Sequence, residues 1–100
     1  MQIDHVIALA WAWSAGAWQW DASKRARFYT DPEELLAVSG KSNDQRADYP
    51  PSEYWPPNRA YSCAYATRWI GLLRTYQLPI DPASADVLRR EAATCPTIGD

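Results

Sequence analysis

QIDHVIA at residues 2–8 and LLAV at residues 35–38 are the two short apolar stretches that decide the fold class of this chain. The first stretch contains Ile3, Val6 and Ile7, and this composition predicts a short strand. The second has the length of a strand and stops at a Ser-Gly pair. The rest of the chain favours helices and one proline-rich connection. We therefore expect an α+β protein that is mostly helical.

The segment between the two strands is rich in alanine and tryptophan. Alanine favours a helix from residue 8 to about residue 20, although the tryptophan spacing also mimics the alternation of a strand. On a helical wheel, Trp11 and Trp18 share one face, whereas Trp13 and Trp20 lie near the opposite side. One face can enter the core, and the other then needs a partner or a second layer.

Polar residues and prolines mark the boundaries of the remaining elements. Asp21 is the expected N-cap of a short helix that ends near Phe28, and the Asp31-Pro32 step begins a turn. After the second strand, Ser39 or Ser42 can cap a further helix.

The second half of the chain is predicted to consist of a stiff connection and two helices. Residues 49–58 contain four prolines and are expected to cross the molecule in an extended form. Apolar side chains recur every three or four residues across residues 59–77, which indicates the longest helix. Asp81 and Pro82 supply the N-cap and first residue of a last helix, which runs to about Thr94.

The charge balance restricts how the protein could bind nucleic acid. The chain has 100 residues, enough for one domain, and its 10 basic and 12 acidic residues give a net charge of -2. This balance argues against binding through bulk positive charge, so another source of positive charge would be needed. Lys24, Arg25 and Arg27 form the one local basic cluster, for which a solvated helix face is the simpler interpretation.

Location and redox state follow from two further features. The uncharged run at residues 6–20 falls short of the ~20 apolar residues that span a membrane, and residues 1–5 lack the positive region of a secretory signal. We therefore expect a cytoplasmic protein. Cys63 and Cys95 allow one intramolecular pairing, which would contribute about 3–4 kcal/mol, but a reducing cytosol would keep both as thiols. Both states remain open, and the cysteine spacing does not resemble a zinc site.

The candidate chemistry begins at Asp4 and His5, the end of the first strand. Adjacent strand side chains point to opposite faces, so one residue could bind a metal ion while the other addresses a water molecule. Asn43, on the helix after the second strand, offers the hard amide oxygen that a divalent cation accepts. Such an ion would supply the positive charge that the composition lacks. From composition and spacing alone, a structural role for His5 is favoured over a functional one.

Four segments carry a family pattern: IDHVIAL at residues 3–9, DPEELLAVSGKSN at 31–43, YWPPN at 54–58 and CAYATRW at 63–69. In this order they resemble the core of the HNH nucleases, members of the His-Me finger or ββα-metal superfamily. The resemblance is closest to bacterial HNH proteins related to the C-terminal domain of GmrSD-type restriction endonucleases. It covers nearly the whole chain.

The resemblance implies a role for each candidate residue. His5 matches the general base that activates water for hydrolysis of a phosphodiester bond in DNA. Asp4 and Asn43 match the two protein ligands of a divalent metal ion, for which Mg²⁺ is expected and Mn²⁺, Zn²⁺ or Ni²⁺ are alternatives. The implied fold is a ββα-metal core at residues 1–48. The proline-rich segment at 49–58 and a helical pair at 59–95 complete a single domain.

Two positions depart from the family pattern. Glu34 stands where the family has the middle Asn of its name, a residue that orients the loop and the catalytic histidine through backbone hydrogen bonds. A carboxylate lacks the amide donor, so Glu34 would accept a hydrogen bond from His5, add charge near the metal, or mark a damaged site. Arg46 replaces a lysine and keeps the positive charge.

These departures keep a second function open. The alternative is a catalytically inactive HNH-derived module that binds a protein or nucleic-acid partner through its tryptophan-rich face. Aromatic residues of the proline-rich segment, such as Trp55, could stack on bases, but packing over the core is favoured. Arg68 and Arg74 are expected to be solvated or paired. Secreted relatives within the family also leave the cytoplasmic location open.

Overall fold

The computed structural model describes residues 2–38 and 48–96, which form a small two-stranded sheet and four α-helices. Strand β1 (Gln2–His5) pairs with β2 (Leu35–Val38) in antiparallel register, with His5 opposite Leu35. Both predicted strands are therefore present, and the protein is mostly helical. The predicted finger helix falls on residues 39–47, outside the described residues, so the complete ββα core stays a prediction.

The first helix is shorter than predicted. Helix α1 (Leu9–Ala15) ends at Gly16, whose φ of 153° is a conformation that favours glycine, and residues 17–19 form a separate 3₁₀ turn. The prediction of one helix to residue 20 was wrong, and so was the wheel built on it. Trp20 packs into the core, whereas Trp18 is exposed on the turn.

The second helix begins where its capping residue predicts. Helix α2 (Ala22–Tyr29) starts after Asp21, whose Oδ1 accepts a hydrogen bond from the Lys24 amide at 2.8 Å. Phe28 is its buried residue and packs edge-on against the ring of Tyr76, with 5.0 Å between ring centroids. That contact attaches α2 to the centre of the molecule.

The centre of the fold is helix α3 (Ser62–Tyr76), which is preceded by a 3₁₀ turn at Arg59–Tyr61. Its buried face includes Trp69, against which Trp11 of α1 packs with ring centroids 5.2 Å apart. The helix ends at Gln77, which has a left-handed conformation. Its length and apolar face confirm the strongest periodicity in the sequence.

The last helix, α4 (Pro82–Ala92), packs beside α3 and is covalently joined to it. Asp81 caps α4 by accepting from the Ser84 amide at 2.9 Å, as its Asp-Pro start predicts. A disulfide joins Cys63, at the start of α3, to Cys95, just beyond α4, with 4.9 Å between their Cα atoms. The structure thus decides the redox question that spacing left open.

The proline-rich segment packs over the start of α3. The indole Nε1 of Trp55 donates to Ser62 Oγ at 3.0 Å, and its ring meets Tyr65 edge-on at 5.0 Å. Arg59 pairs with the buried Glu91 of α4 at 2.6 Å. Packing is therefore the confirmed role of Trp55. In the described part of the chain, no helix is long and apolar enough to cross a bilayer.

Candidate active site

His5 is the last residue of β1, and its half-buried ring is held by the end of α2. The ring Nε2 lies 2.9 Å from the backbone oxygen of Tyr29, the last residue of that helix. A carbonyl oxygen can only accept, so Nε2 carries the proton and donates. In the neutral ring, Nδ1 then has the free lone pair, which is the form a general base requires.

Tyr29 contributes to the site through its backbone. The last carbonyl groups of an α-helix have no partner within the helix, so the Tyr29 oxygen is available to accept from His5. Sequence reasoning missed this contact because a backbone acceptor can be supplied by any residue type. The predicted end of α2 near residue 28 was the one signal that a free carbonyl would lie in this region.

Glu34 holds the chain immediately after His5. Its side chain is fully buried, and its Oε1 accepts from the Ile7 amide at 2.5 Å. Its backbone oxygen accepts from the Val6 amide at 2.7 Å, which continues the pairing of the two strands. Glu34 therefore binds the loop after the histidine through two acceptor oxygens. Orientation of this loop requires acceptors, which a carboxylate supplies as well as an amide does.

The turn that presents Glu34 is organised by Asp31. The backbone oxygen of Asp31 accepts from the amides of Glu34 and Leu35, at 2.9 and 3.2 Å. Its carboxylate accepts from the Glu33 amide at 3.0 Å and from the Tyr76 hydroxyl at 2.7 Å. The central helix α3 thereby fixes the position of the turn, which confirms the predicted turn at Asp31.

The Tyr76 hydroxyl is protonated over the physiological pH range. Its burial, its hydrogen bond to Asp31 and the nearby carboxylate charges together raise the pKa of Tyr76 to about 12. The neutral hydroxyl therefore remains a donor to Asp31. The apolar periodicity of residues 59–77 places Tyr76 on the inner face of the long helix, but periodicity cannot show what a tyrosine hydroxyl contacts.

Replacement of Tyr76 with phenylalanine tests this anchor. We expect Tyr76→Phe to lower the free energy of unfolding by about 1–2 kcal/mol at pH 8, since Asp31 loses its donor. The folded pKa is raised above the unfolded value, so the stabilising contribution is complete below pH 10 and disappears as the pH rises towards 12. Urea unfolding at pH 8 and pH 11 should show a smaller difference between the two proteins at pH 11; an equal difference would contradict the assignment.

The structure describes only part of the predicted metal site. Asp4 lies on β1 one position before His5, and its backbone pairs with Leu36. Asn43 and Arg46 lie outside the described residues. Residues 2–38 and 48–96 contain no group of three metal-binding side chains. The predicted donors nevertheless suit the expected ion chemically, because carboxylate and amide oxygens are ligands that Mg²⁺ accepts.

Arg68 belongs to a separate position on the sheet. It donates to the Leu35 backbone oxygen at 3.3 Å and lies 3.8 Å from the Glu33 carboxylate. Successive carbonyls of a strand point to opposite edges. Because the Glu34 oxygen faces β1, the Leu35 oxygen faces away from it. Arg68 therefore lies beyond β2, across the strand from His5, and the expectation that it is paired is confirmed.

A family model describes this chain over most of its length. The model for "GmrSD restriction endonucleases, C-terminal domain" matches residues 1–90, a range that contains β1, the turn before β2 and the central helix. The chain belongs to this family. The family resemblance read from the sequence segments is thereby confirmed, and the chain that contains His5 is a nuclease-related GmrSD C-terminal domain.

One relative of this GmrSD C-terminal domain is an "Uncharacterized secreted protein" from Arthroderma benhamiae (strain ATCC MYA-4681 / CBS 112371). The two chains are 34% identical over 97 residues, which cover 95% of the present chain and 48% of the relative. The chain thus spans about half the length of that relative. No solved structure matched it.

Proposed function

We propose that this GmrSD C-terminal domain is a metal-dependent endonuclease that hydrolyses phosphodiester bonds in DNA, with His5 as the general base. The observation that carries the proposal is the hydrogen bond between His5 Nε2 and the Tyr29 carbonyl oxygen, at 2.9 Å. It holds the ring in one orientation and leaves Nδ1 to take a proton from water. Membership of a restriction-endonuclease family supports the reaction class.

Asp4 and Asn43 are the residues that would hold the metal ion. Two oxygen ligands from the protein leave coordination positions for water and a phosphate oxygen, as is usual for Mg²⁺. A bound divalent ion supplies positive charge at the phosphate and the leaving oxygen. This local charge allows a chain with a net charge of -2 to act on a polyanion.

A plasmid relaxation assay tests the proposed reaction. Supercoiled DNA is incubated with the disulfide-bonded chain and, in parallel, with Mg²⁺, Mn²⁺, Zn²⁺, Ni²⁺ or EDTA. We expect nicked or linear DNA with at least one of these ions and intact plasmid in EDTA. Failure of all four ions to produce cleavage above the EDTA background would contradict the proposed reaction.

Glu34 is proposed as a positioning residue for His5. Its replacement with glutamine should slow DNA cleavage less than its replacement with asparagine. Glu34→Gln keeps an acceptor oxygen at the same reach, so we expect cleavage within a few-fold of the parent chain. Glu34→Asn brings the acceptor about 1.5 Å closer to its own backbone and lengthens the 2.5 Å contact to Ile7 beyond hydrogen-bond range. We expect about a tenfold or greater loss for this variant, because small displacements of a catalytic group are costly.

The measurements that check this order are the cleavage rate and the unfolding curve of each variant. If Glu34→Asn, the residue usual in the family, cleaves as fast as the parent chain or faster, the loop contact of Glu34 does not position His5. Comparable unfolding curves for Glu34→Gln and Glu34→Asn would assign any difference in rate to the position of the histidine.

The exposed tryptophans favour a second candidate function. Trp13 and Trp18 present large aromatic surfaces to solvent. A catalytically inactive module that binds a partner through this face would need the surface and would not need His5. The plasmid assay distinguishes the two candidate functions, because an inactive binding module would cleave no DNA with any of the ions.

We also propose that the protein works in an oxidising compartment, in place of the cytoplasm expected from residues 1–5. The disulfide between Cys63 and Cys95 supports this location, because such bonds persist mainly in secreted or otherwise oxidised proteins. The printed name of the Arthroderma benhamiae relative, which calls it secreted, supports it as well.

A further inference from the structure

Two of the six tryptophans have surfaces that the fold leaves open to solvent. Trp13 is 48% exposed and Trp18 is 55% exposed, and they lie on either side of the break at Gly16. The other four tryptophans all contact core rings or residues of the core: Trp11, Trp20, Trp55 and Trp69. Four tryptophans therefore pack against the core, whereas Trp13 and Trp18 are the two that remain about half exposed.

Three cations lie on α2, the helix that follows the exposed rings in the chain, and one of them contacts an exposed ring directly. The Arg25 guanidinium lies 5.5 Å from the centroid of the Trp13 ring and donates to the Ala17 backbone oxygen at 3.3 Å. Lys24 Nζ lies 4.5 Å from the centroid of Trp20, and Arg27 is exposed two residues beyond Arg25. We call Trp13, Trp18, Lys24, Arg25 and Arg27 the tryptophan corner.

The cations of the tryptophan corner have no carboxylate within ion-pair distance among the residues that the structure describes. Across residues 2–38 and 48–96, none of its three cations forms an ion pair, whereas four other arginines do so: Arg59, Arg68, Arg89 and Arg90. Asp21 lies at the same end of α2, where its carboxylate caps the helix. In the described part of the chain, the corner thus combines half-exposed aromatic rings with cations that form no ion pair, although the net charge of the protein is negative.

We propose that the tryptophan corner binds unpaired nucleotides of a nucleic-acid strand, with bases stacked on Trp13 and Trp18 and phosphates against Lys24, Arg25 and Arg27. Aromatic rings interleaved with cations bind single strands with little sequence preference, because every base offers a flat face. Paired bases within a duplex do not expose these faces, so the corner selects single-stranded or locally opened substrate. The charge of the corner favours this polyanion over an apolar protein surface.

The three cations of the corner lie on the same helix that holds the candidate base. Arg25 and Tyr29 are four residues apart on α2, about 6 Å along the helix axis, and the Tyr29 oxygen holds His5. This distance corresponds to about two stacked nucleotide steps of 3.4 Å. The cations of the corner and the carbonyl oxygen that holds His5 therefore lie on one short helix. This inference rests on the proposed function for its premise that the partner is a nucleic acid. It adds that the bound strand is single or locally opened.

Binding can be measured without cleavage, so the two proposals can fail separately. The His5→Ala chain in EDTA is titrated into a fluorescein-labelled 12-nucleotide oligo-dT and into a 12-base-pair duplex, and polarisation is recorded at 50 and 150 mM NaCl. We expect the single strand to bind at least about tenfold more tightly than the duplex. Its affinity should fall with salt at a logarithmic slope of about -2, from three phosphate contacts.

Single replacements within the corner identify the surface. Trp18→Ala should weaken oligo-dT binding by about 5- to 100-fold, and Trp18→Phe, which keeps an aromatic face, should weaken it less. Arg27→Gln should reduce the salt slope by about 0.7, whereas the matched control Arg74→Gln, an exposed cation on α3, should leave it unchanged. Both Trp18 variants should unfold at the parent temperature, since their side chain is largely exposed.

Three results would overturn the inference: no binding of oligo-dT by the parent or His5→Ala chain, equal affinity for the duplex, or unchanged affinity in Trp18→Ala. Loss of plasmid cleavage with retained binding would instead contradict only the proposed nuclease. Preferential binding of a protein or an anionic vesicle at the corner, with no oligo-dT binding, would also count against the inference.

Discussion

His5→Ala is expected to lower the rate of metal-dependent DNA cleavage by about 10³-fold, within the range that general-base catalysis contributes. The replacement removes the Nδ1 lone pair that would take the proton from water. It also removes the donor that satisfies the Tyr29 carbonyl oxygen at the end of α2. A rate loss in this variant alone would therefore combine a chemical effect with a structural one.

His5→Gln separates these two effects. The Nε2 amide of glutamine can reach the Tyr29 oxygen and donate to it, but its side chain offers no basic nitrogen. We expect the glutamine variant to unfold like the parent chain and to lose about as much activity as His5→Ala. Single-turnover cleavage of a labelled DNA, together with thermal unfolding of each variant, measures both quantities. Substantial cleavage by His5→Gln would show that His5 is not the base.

Removal of the disulfide is expected to have the largest effect on stability. Cys63 and Cys95 are 32 residues apart in the sequence, and a loop of this length contributes about 3–4 kcal/mol in the chain-entropy model. A domain of this size has a total stability of only about 5–15 kcal/mol. We therefore expect the Cys63→Ser/Cys95→Ser double variant to unfold about 12–30 °C below the parent chain.

The reductant dependence of unfolding supplies the control for the disulfide prediction. Dithiothreitol should destabilise the parent chain by a similar amount and should have no effect on the double variant, which has no thiols. Equal unfolding temperatures for the parent chain and the double variant would show that the disulfide does not contribute to stability. Cleavage that is lost in the reduced parent at 37 °C and restored by reoxidation would be consistent with work in an oxidising compartment.

The local chemistry of the chain was sufficient to predict most element starts. Asp21 and Asp81 cap helices because their short carboxylates accept the amide three residues on, a contact that needs no other part of the molecule. The long apolar period of α3 and the strand at residues 35–38 were likewise correct. Gly16 is the local signal for the end of α1. Because the helix stops there, Trp18 lies on an exposed turn and not on the face of a longer helix.

For the candidate site, the sequence predicted the residue types but not their contacts. The Asp4-His5 step and the family segments predicted a catalytic role for His5, since a motif specifies residue types. They did not identify the partner of His5, because that partner is a backbone oxygen from another element. Residue type alone also did not show the contacts of Glu34, whose acceptor oxygens bind the Val6 and Ile7 amides.

The family, the helix caps and the apolar faces could therefore be inferred from residues in order along the chain. The pairing of Cys63 with Cys95, the support of His5 by Tyr29 and the exposure of Trp13 and Trp18 could not. Each of these depends on which distant segments meet, and that is decided by how α1, α2 and α3 share one small core. Short-range hydrogen bonding is a property of local sequence, whereas the environment of a side chain is a property of the packed chain.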